Sequence, residues 1–334
     1  MISTLLRAVL VSLLPFGGIA IAGEANGLDV SRDDVRTFIA SMVKQHGFKA
    51  DELTAVLGAA QPQPRILEII QRPAEHILAW WEYRDRLVTA ERIDRGVKVW
   101  QANRDVLDRI SASTGVPAEY LIAITGIETT YGLNTGRYRV LDALTTLGFN
   151  YPPRADFFQR ELEQFLLLTR EDHVDPRTPL GSYAGAMGIA LFMPSSMRSY
   201  AVDESHDGHR DLASFGPDVF ASIANYFVKH GWSPGQPVLA EATNSAAPDD
   251  PASAKLTLTE TVAGLRGRGY VFDSTLPEDT KVMLVPAQLA DQLAWRVGFQ
   301  NFYVITRYNH SSLYAMAVHD LATAIARRYQ ATTP

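Results

Sequence analysis

From residue 31 onward the apolar positions recur mostly at helical spacing. Val35, Phe38, Ile39 and Met42 form a stripe behind Ser31, Asp33 and Asp34, which predicts a helix that Gly47 closes. A second helix is expected over 51–58; Gln61-Pro62-Gln63-Pro64 then breaks the pattern before Ile66 to Ile70 resumes it. Val97, Trp100, Val106, Leu107 and Ile110 predict one long helix over 91–114. Leu141, Leu144, Leu147 and Phe149 mark a short helix ended by Gly148 and Pro152-Pro153, and a longer one follows over 155–169 with Phe157, Leu162, Phe165 and Leu166 buried. Ile223, Tyr226 and Phe227 face inward on a helix over 221–230, and Leu313, Met316, Ala317 and Leu321 define a closing helix from Ser312.

The period changes after Gly231. Residues 233–254, rich in Pro, Ala, Ser and Asp, read as loop, and short alternating runs follow at 255–259, 270–272, 281–285 and 295–299. The chain is therefore expected to be mainly α, with a helical opening and a small β-rich insert. Its 334 residues hold ample material for a core.

One stretch in this pattern carries a chemical oddity. Pro117 to Gly132 reads PAEYLIAITGIETTYG, and Pro117 suits the opening turn of a helix because its missing N–H would be unpaired there anyway. Leu121, Ile124, Glu128 and Tyr131 share a face with Ile127 beside them, so a lone carboxylate projects from the side expected to pack inward. A poorly solvated site favours the protonated carboxyl and raises its pKa, which a general acid at neutral pH requires. A buried Glu satisfied by a structural partner produces the same pattern, and the spacing alone does not separate the two.

Other stretches have a double reading. Trp80-Trp81-Glu82-Tyr83-Arg84 is an aromatic cluster, ordinarily a packing feature. Gly181-Ser182-Tyr183-Ala184-Gly185-Ala186-Met187-Gly188 is rich in small residues, which suits close approach of backbone to a ligand or a tight helix crossing. Asp203, Ser205 and Asp207 with Gly208 have the spacing that opens an EF-hand calcium loop, His209 contributing its carbonyl at the next ligand position. Position 12 is Ser214 in place of Glu, and the next acid, Asp218, is displaced, so a polar loop held by its own turns is the competing reading. His206 and His209 lack a third soft ligand for zinc.

Charge and composition narrow the function. A net charge of -6 argues against a nucleic-acid partner. Arg7 precedes an apolar run over 8–22, broken by Pro15, Gly17 and Gly18 and ending Ala20-Ile21-Ala22; this reads as a secretory signal, with an uncleaved anchor as the alternative. The sequence contains no cysteine, hence neither disulfides nor a lipid-bearing Cys, and the expectation is an exported protein free in the periplasm after signal cleavage. G-x-S-x-G, H-E-x-x-H and P-loop motifs are missing.

Four blocks in order resemble the family 3 lytic transglycosylases: IETTYG with Glu128, LDALTTLGFNYPPRADFF from Leu141, GSYAGAMG with FMPSS from Gly181, and ITRYNHSSLYAMAV from Ile305. The resemblance implies a lysozyme-like core over 101–232, holding an EF-hand-like loop, after a signal over 1–22 and a helical domain over 23–100. A β-rich domain over 233–300 and a C-terminal segment over 301–334 that returns to the core complete the expectation. It implies cleavage of the β-1,4 bond between N-acetylmuramic acid and N-acetylglucosamine in peptidoglycan, closing a 1,6-anhydro ring, with Glu128 as sole acid and base. A muramidase or an inactive wall-binding protein are the rival readings. Tyr83, Arg154, Ser182, Phe192, Met193, Tyr308, Asn309 and Tyr314 would border the glycan; Leu191 stands where the family has Gln, and Pro153 where it has a first Arg. No cofactor is required by this chemistry, while a structural calcium at Asp203, Ser205, Asp207, His209 and Asp218 is implied. The implied partners are glycan strands and other wall-synthesis or wall-degrading proteins.

Overall fold

The computed structural model describes residues 27–71, 78–244, 249–251 and 254–332. The signal read over 1–22 lies outside them. Two compact units result, one holding described residues from 132–219 with those before 72, the other from 78–131 with those after 219.

In the first unit, helices Asp33–His46, Ala50–Gly58 and Pro64–Gln71 bring Val35, Phe38, Leu53, Leu57 and Ile66 to one core with Val140–Asn150 and Ala155–Glu171. Gly47 ends the opening helix in the left-handed conformation at φ 67°, where glycine has no Cβ to crowd the carbonyl. The Gln61–Pro64 break is tied down by Asp142 and Thr146: Gln61 N donates to Asp142 Oδ1 at 2.8 Å and Gln63 N to Thr146 Oγ1 at 2.9 Å. Arg139 completes this buried knot with two 2.8 Å bonds to the Asp142 carboxylate.

Helix ends depart from the spacing. Gly148 lies within the helix Val140–Asn150, and the two prolines form a short 3-10 turn, Pro152–Arg154, because a proline disfavours α conformation in the residue before it. Phe158 and Phe165 are deeply buried aromatics of the next helix; Phe157 is half-buried beneath the Arg154 guanidinium, 4.4 Å from its ring centre.

The second unit holds helices Trp80–Leu87, Ala90–Ala102, Arg104–Thr114, Ala118–Thr129, Gln300–Tyr308 and Ser312–Thr332. The single helix expected over 91–114 is two helices. Asn103, at φ -123° and ψ 20°, folds its side-chain amide back onto Val99 O at 2.8 Å, offering the backbone an alternative to the helical ladder.

The β-rich insert is a five-stranded antiparallel sheet ordered Glu260–Thr261, Lys281–Gln288, Leu293–Gly298, Leu239–Asn244, Tyr270–Val271. Leu239–Asn244 corrects the loop read over 233–254: its Ala and Glu have poor strand propensity, and pairing on both sides overrides it. The run at 255–259 is not a strand, because Thr259 N–H is taken by Thr257 O and the chain turns off the ladder. The helix Val262–Gly267 covers the sheet with Val262 and Leu265 against Val282, Val297 and Trp295.

Candidate active site

Glu128 sits on the last turn of Ala118–Thr129, which Pro117 precedes as N-cap at ψ 142°. The helix is buried on nearly every side, with Leu121, Ile122, Ala123 and Ile124 inaccessible, so the single inward face expected from spacing is absent. Solvent reaches it at Glu119 in the first turn and again at its end, at Ile127, Glu128 and the C-cap Thr130.

Around the carboxyl stand three tyrosines from three other helices of the same unit. Tyr314, near the start of Ser312–Thr332, donates its hydroxyl to Glu128 Oε1 at 2.5 Å. Tyr308, last residue of Gln300–Tyr308, stacks on Tyr314 with ring centres 6.5 Å apart and planes 11° apart. Tyr83, from Trp80–Leu87, is buried and lies close enough for the Glu128 charge to hold its phenol proton on. Burial is also the first reason that all three phenols ionise well above their ordinary range.

The carboxyl keeps some solvent contact while packed atoms surround it. Burial pushes its pKa up to about 7, and the Tyr314 bond pulls back part of the shift because it favours the ionised form. A group poised there holds a proton at neutral pH and can give it away.

Sequence reasoning missed Tyr226 at this site. Its hydroxyl donates to Arg307 O at 2.7 Å, and its ring meets Tyr308 edge-on at 4.9 Å, backing that residue. The signal was its place on the inward stripe with Ile223 and Phe227, which reads as core. Asn309 caps the Tyr308 helix in extended conformation and is half-buried.

The remaining expected residues stand in the other unit. The small-residue block is a folded loop rather than a helix crossing: Gly181 bridges Met187, which bridges Phe192. Glycine is required at 181, where a Cβ would come within 2.3 Å of Ala186 O. Ser182 Oγ accepts from Ala184 N and Ala186 N at 3.3 and 3.1 Å, which leaves its own proton for another acceptor. Phe192 is only 2% exposed, Met193 is half-buried, and Leu191 takes φ 50°, unusual for a branched side chain. Arg154 lies over Phe157 and Phe158, and burial lowers its pKa.

The residues suggested for calcium form a different arrangement. Asp218 is buried and receives Glu204 N, Ser205 N and Asp211 N at 2.9, 2.8 and 3.0 Å. Asp203 receives Ser205 Oγ, Asp207 N and Gly208 N, and Asp207 receives His209 N. Calcium takes six to eight oxygens, whereas these carboxylates are occupied by the loop's own donors. Among the described residues no group of three or more His, Asp or Glu converges on a metal position. As arranged, the loop holds its carboxylates in its own hydrogen bonds.

With this geometry in view, comparison with known proteins gives a clear answer. The model of the transglycosylase SLT domain matches residues 31–323. The chain belongs to this family. It is 38% identical over 327 residues to the membrane-bound lytic murein transglycosylase B of Escherichia coli, a match that covers 93% of this chain and 89% of that protein. Among solved structures, catenated lytic transglycosylase SltB1 of Pseudomonas aeruginosa superposes with TM-score 0.85 at 44% identity, over 89% of this chain and 98% of that one. Escherichia coli lytic transglycosylase Slt35 in complex with calcium gives 0.83 at 37% identity, over 91% and 96%. The mainly helical architecture with its small antiparallel sheet is thus the family's own. None of the described helices is long and apolar enough to cross a membrane.

Proposed function

We propose that the chain cuts the glycan strands of peptidoglycan between N-acetylmuramic acid and N-acetylglucosamine, with Glu128 as the only acid and base. The observation that carries this reading is a carboxyl packed among apolar atoms, bonded by Tyr314 and ringed by Tyr308 and Tyr83, where burial raises its pKa. Most glycosidases set a second carboxylate across the bond. Here the nucleophile belongs to the substrate, whose C6 hydroxyl already has the proximity that a second residue would supply.

In the first step Glu128 gives its proton to the glycosidic oxygen as the bond to C1 breaks. In the second the carboxylate takes the C6 hydroxyl proton while that oxygen closes on C1. The proton returns to Glu128, no water is consumed, and the product ends in 1,6-anhydromuramic acid. Tyr308 and Asn309 position the N-acetyl group and the positive charge growing at C1; Tyr83, Tyr314, Ser182, Leu191, Phe192 and Met193 hold sugars, and Arg154 meets a carboxylate of the lactyl group or peptide. We assign the work to the periplasm, on the strength of the Arg7-led apolar run. Other wall proteins are natural partners for such an activity.

Digestion of purified sacculi tests this, because an anhydro end is lighter by one water than a hydrolytic one. Wild type should release anhydro ends, and Glu128→Gln should lower the rate at least ~100-fold. Hydrolytic ends would support a muramidase, and equally intact sacculi with both proteins bound would support a wall-binding role.

A further inference from the structure

The turn after Glu128 is left-handed at two successive L residues, Thr130 at φ 51° and Tyr131 at φ 59°. A β-branched residue avoids that region because its Cβ crowds the following carbonyl, so the turn persists only if neighbouring atoms hold it. Those atoms belong to Tyr131. Its N–H donates to Thr125 O at 3.0 Å, and its hydroxyl crosses to the helix Ala90–Ala102, donating to Arg92 O at 2.7 Å.

The ring fits because both flanking helices carry glycine where they meet it. A Cβ on Gly126 would lie 2.7 Å from the Tyr131 hydroxyl oxygen, and one on Gly96 would lie 2.6 Å from the same atom. Two glycines inside helices are costly in propensity; the space cleared at Gly126 is filled by Tyr131 alone, and the one at Gly96 by the Tyr131 hydroxyl together with Ile325. Glu128 is three residues upstream, on the turn this arrangement terminates.

We propose that Tyr131 is a positioning residue: a strut wedged between Gly96 and Gly126 that holds the left-handed turn and so fixes where the Glu128 carboxyl meets Tyr314. It touches no reacting atom and acts through the backbone. The inference rests on Glu128 as the acid, and a displacement of about 1 Å in such a group can cost ~100-fold in rate.

Steady-state release of anhydro ends by the full chain tests it, alongside thermal unfolding. Tyr131→Phe keeps the ring and loses the bond to Arg92, so kcat should fall roughly 3- to 10-fold with KM nearly constant, and Tyr131→Ala should approach ~100-fold. Gly126→Ala should lower kcat in the wild-type background and add almost nothing beside Tyr131→Ala, because the atom it clashes with is gone. A second readout needs no turnover: carbon NMR titration of Glu128, which Tyr83, Tyr308 and Tyr314 face, should move in Tyr131→Phe. Should Tyr131→Ala fail to fold, Tyr131→Phe and Gly126→Ala carry both readouts. An unchanged kcat and an unmoved titration in folded Tyr131→Phe and Gly126→Ala overturn the strut. Absence of anhydro ends from wild type would instead sink the proposed reaction while the titration still decides this point.

Discussion

The Tyr314 hydroxyl bonds Glu128 Oε1 at 2.5 Å and is the one contact that opposes burial in setting the state of that carboxyl. Tyr314→Phe preserves the ring and removes the donor. The Glu128 pKa should then rise further, moving the alkaline fall of kcat to higher pH, while kcat at neutral pH drops about tenfold, as expected for ~1.4 kcal/mol of a charge-assisted bond. A pH–rate profile of the two proteins checks both shifts, and coincident curves would count against the bond.

Stability should also report the buried carboxyl. Its folded pKa, about 7, lies above the ordinary carboxyl value of 4.5, so the folded state binds the proton more tightly than the unfolded chain does. Its contribution is complete below pH 4.5 and is lost as pH rises through 7. Glu128→Gln removes that titration, so wild type should lose roughly 1–3 kcal/mol relative to the variant between pH 5 and pH 8. Denaturant melts at the two pH values measure it; a constant gap between the proteins would mean an unshifted carboxyl.

Asp142 should matter for folding rather than chemistry. It is 3% exposed and takes Gln61 N and two Arg139 donors, so Asp142→Ala strands the Gln61 amide and leaves the Arg139 guanidinium only its bond to Ala59 O. A loss of about 3 kcal/mol is expected, with amide exchange speeding at 60–63 first. Chemical denaturation and exchange mass spectrometry test it.

The acidic loop gives a contrast between metal and side chain. Because Asp203 and Asp218 are already occupied by backbone donors, excess EDTA should leave Tm within about 1 °C, whereas Asp218→Ala should cost roughly 2 kcal/mol. A large rise of Tm with added calcium would show that the loop reopens around the ion.

Much of the helical frame was legible in the sequence because its apolar stripes, proline breaks and Gly47 act locally. The misses are places where partners decide: Asn103 bending onto Val99, Leu239–Asn244 held by strands on both sides, and Thr259 turning away from a ladder its neighbours join. Glu128 stood out as a carboxylate in an apolar run, yet nothing local announced that Tyr314, 186 residues later, would bond it. The roles of Tyr308 and Tyr83 came from family resemblance, since an inward tyrosine reads as core until its hydroxyl is located. Tyr226 was read that way for the same reason.

The helix bearing Tyr314 is the last of the described helices, which has a bearing on biosynthesis. A polypeptide halted before residue 314 possesses the acid but lacks the phenol that grips it and the helix that walls it from water. On the proposed reaction, a copy stopped there is expected to release no anhydro ends.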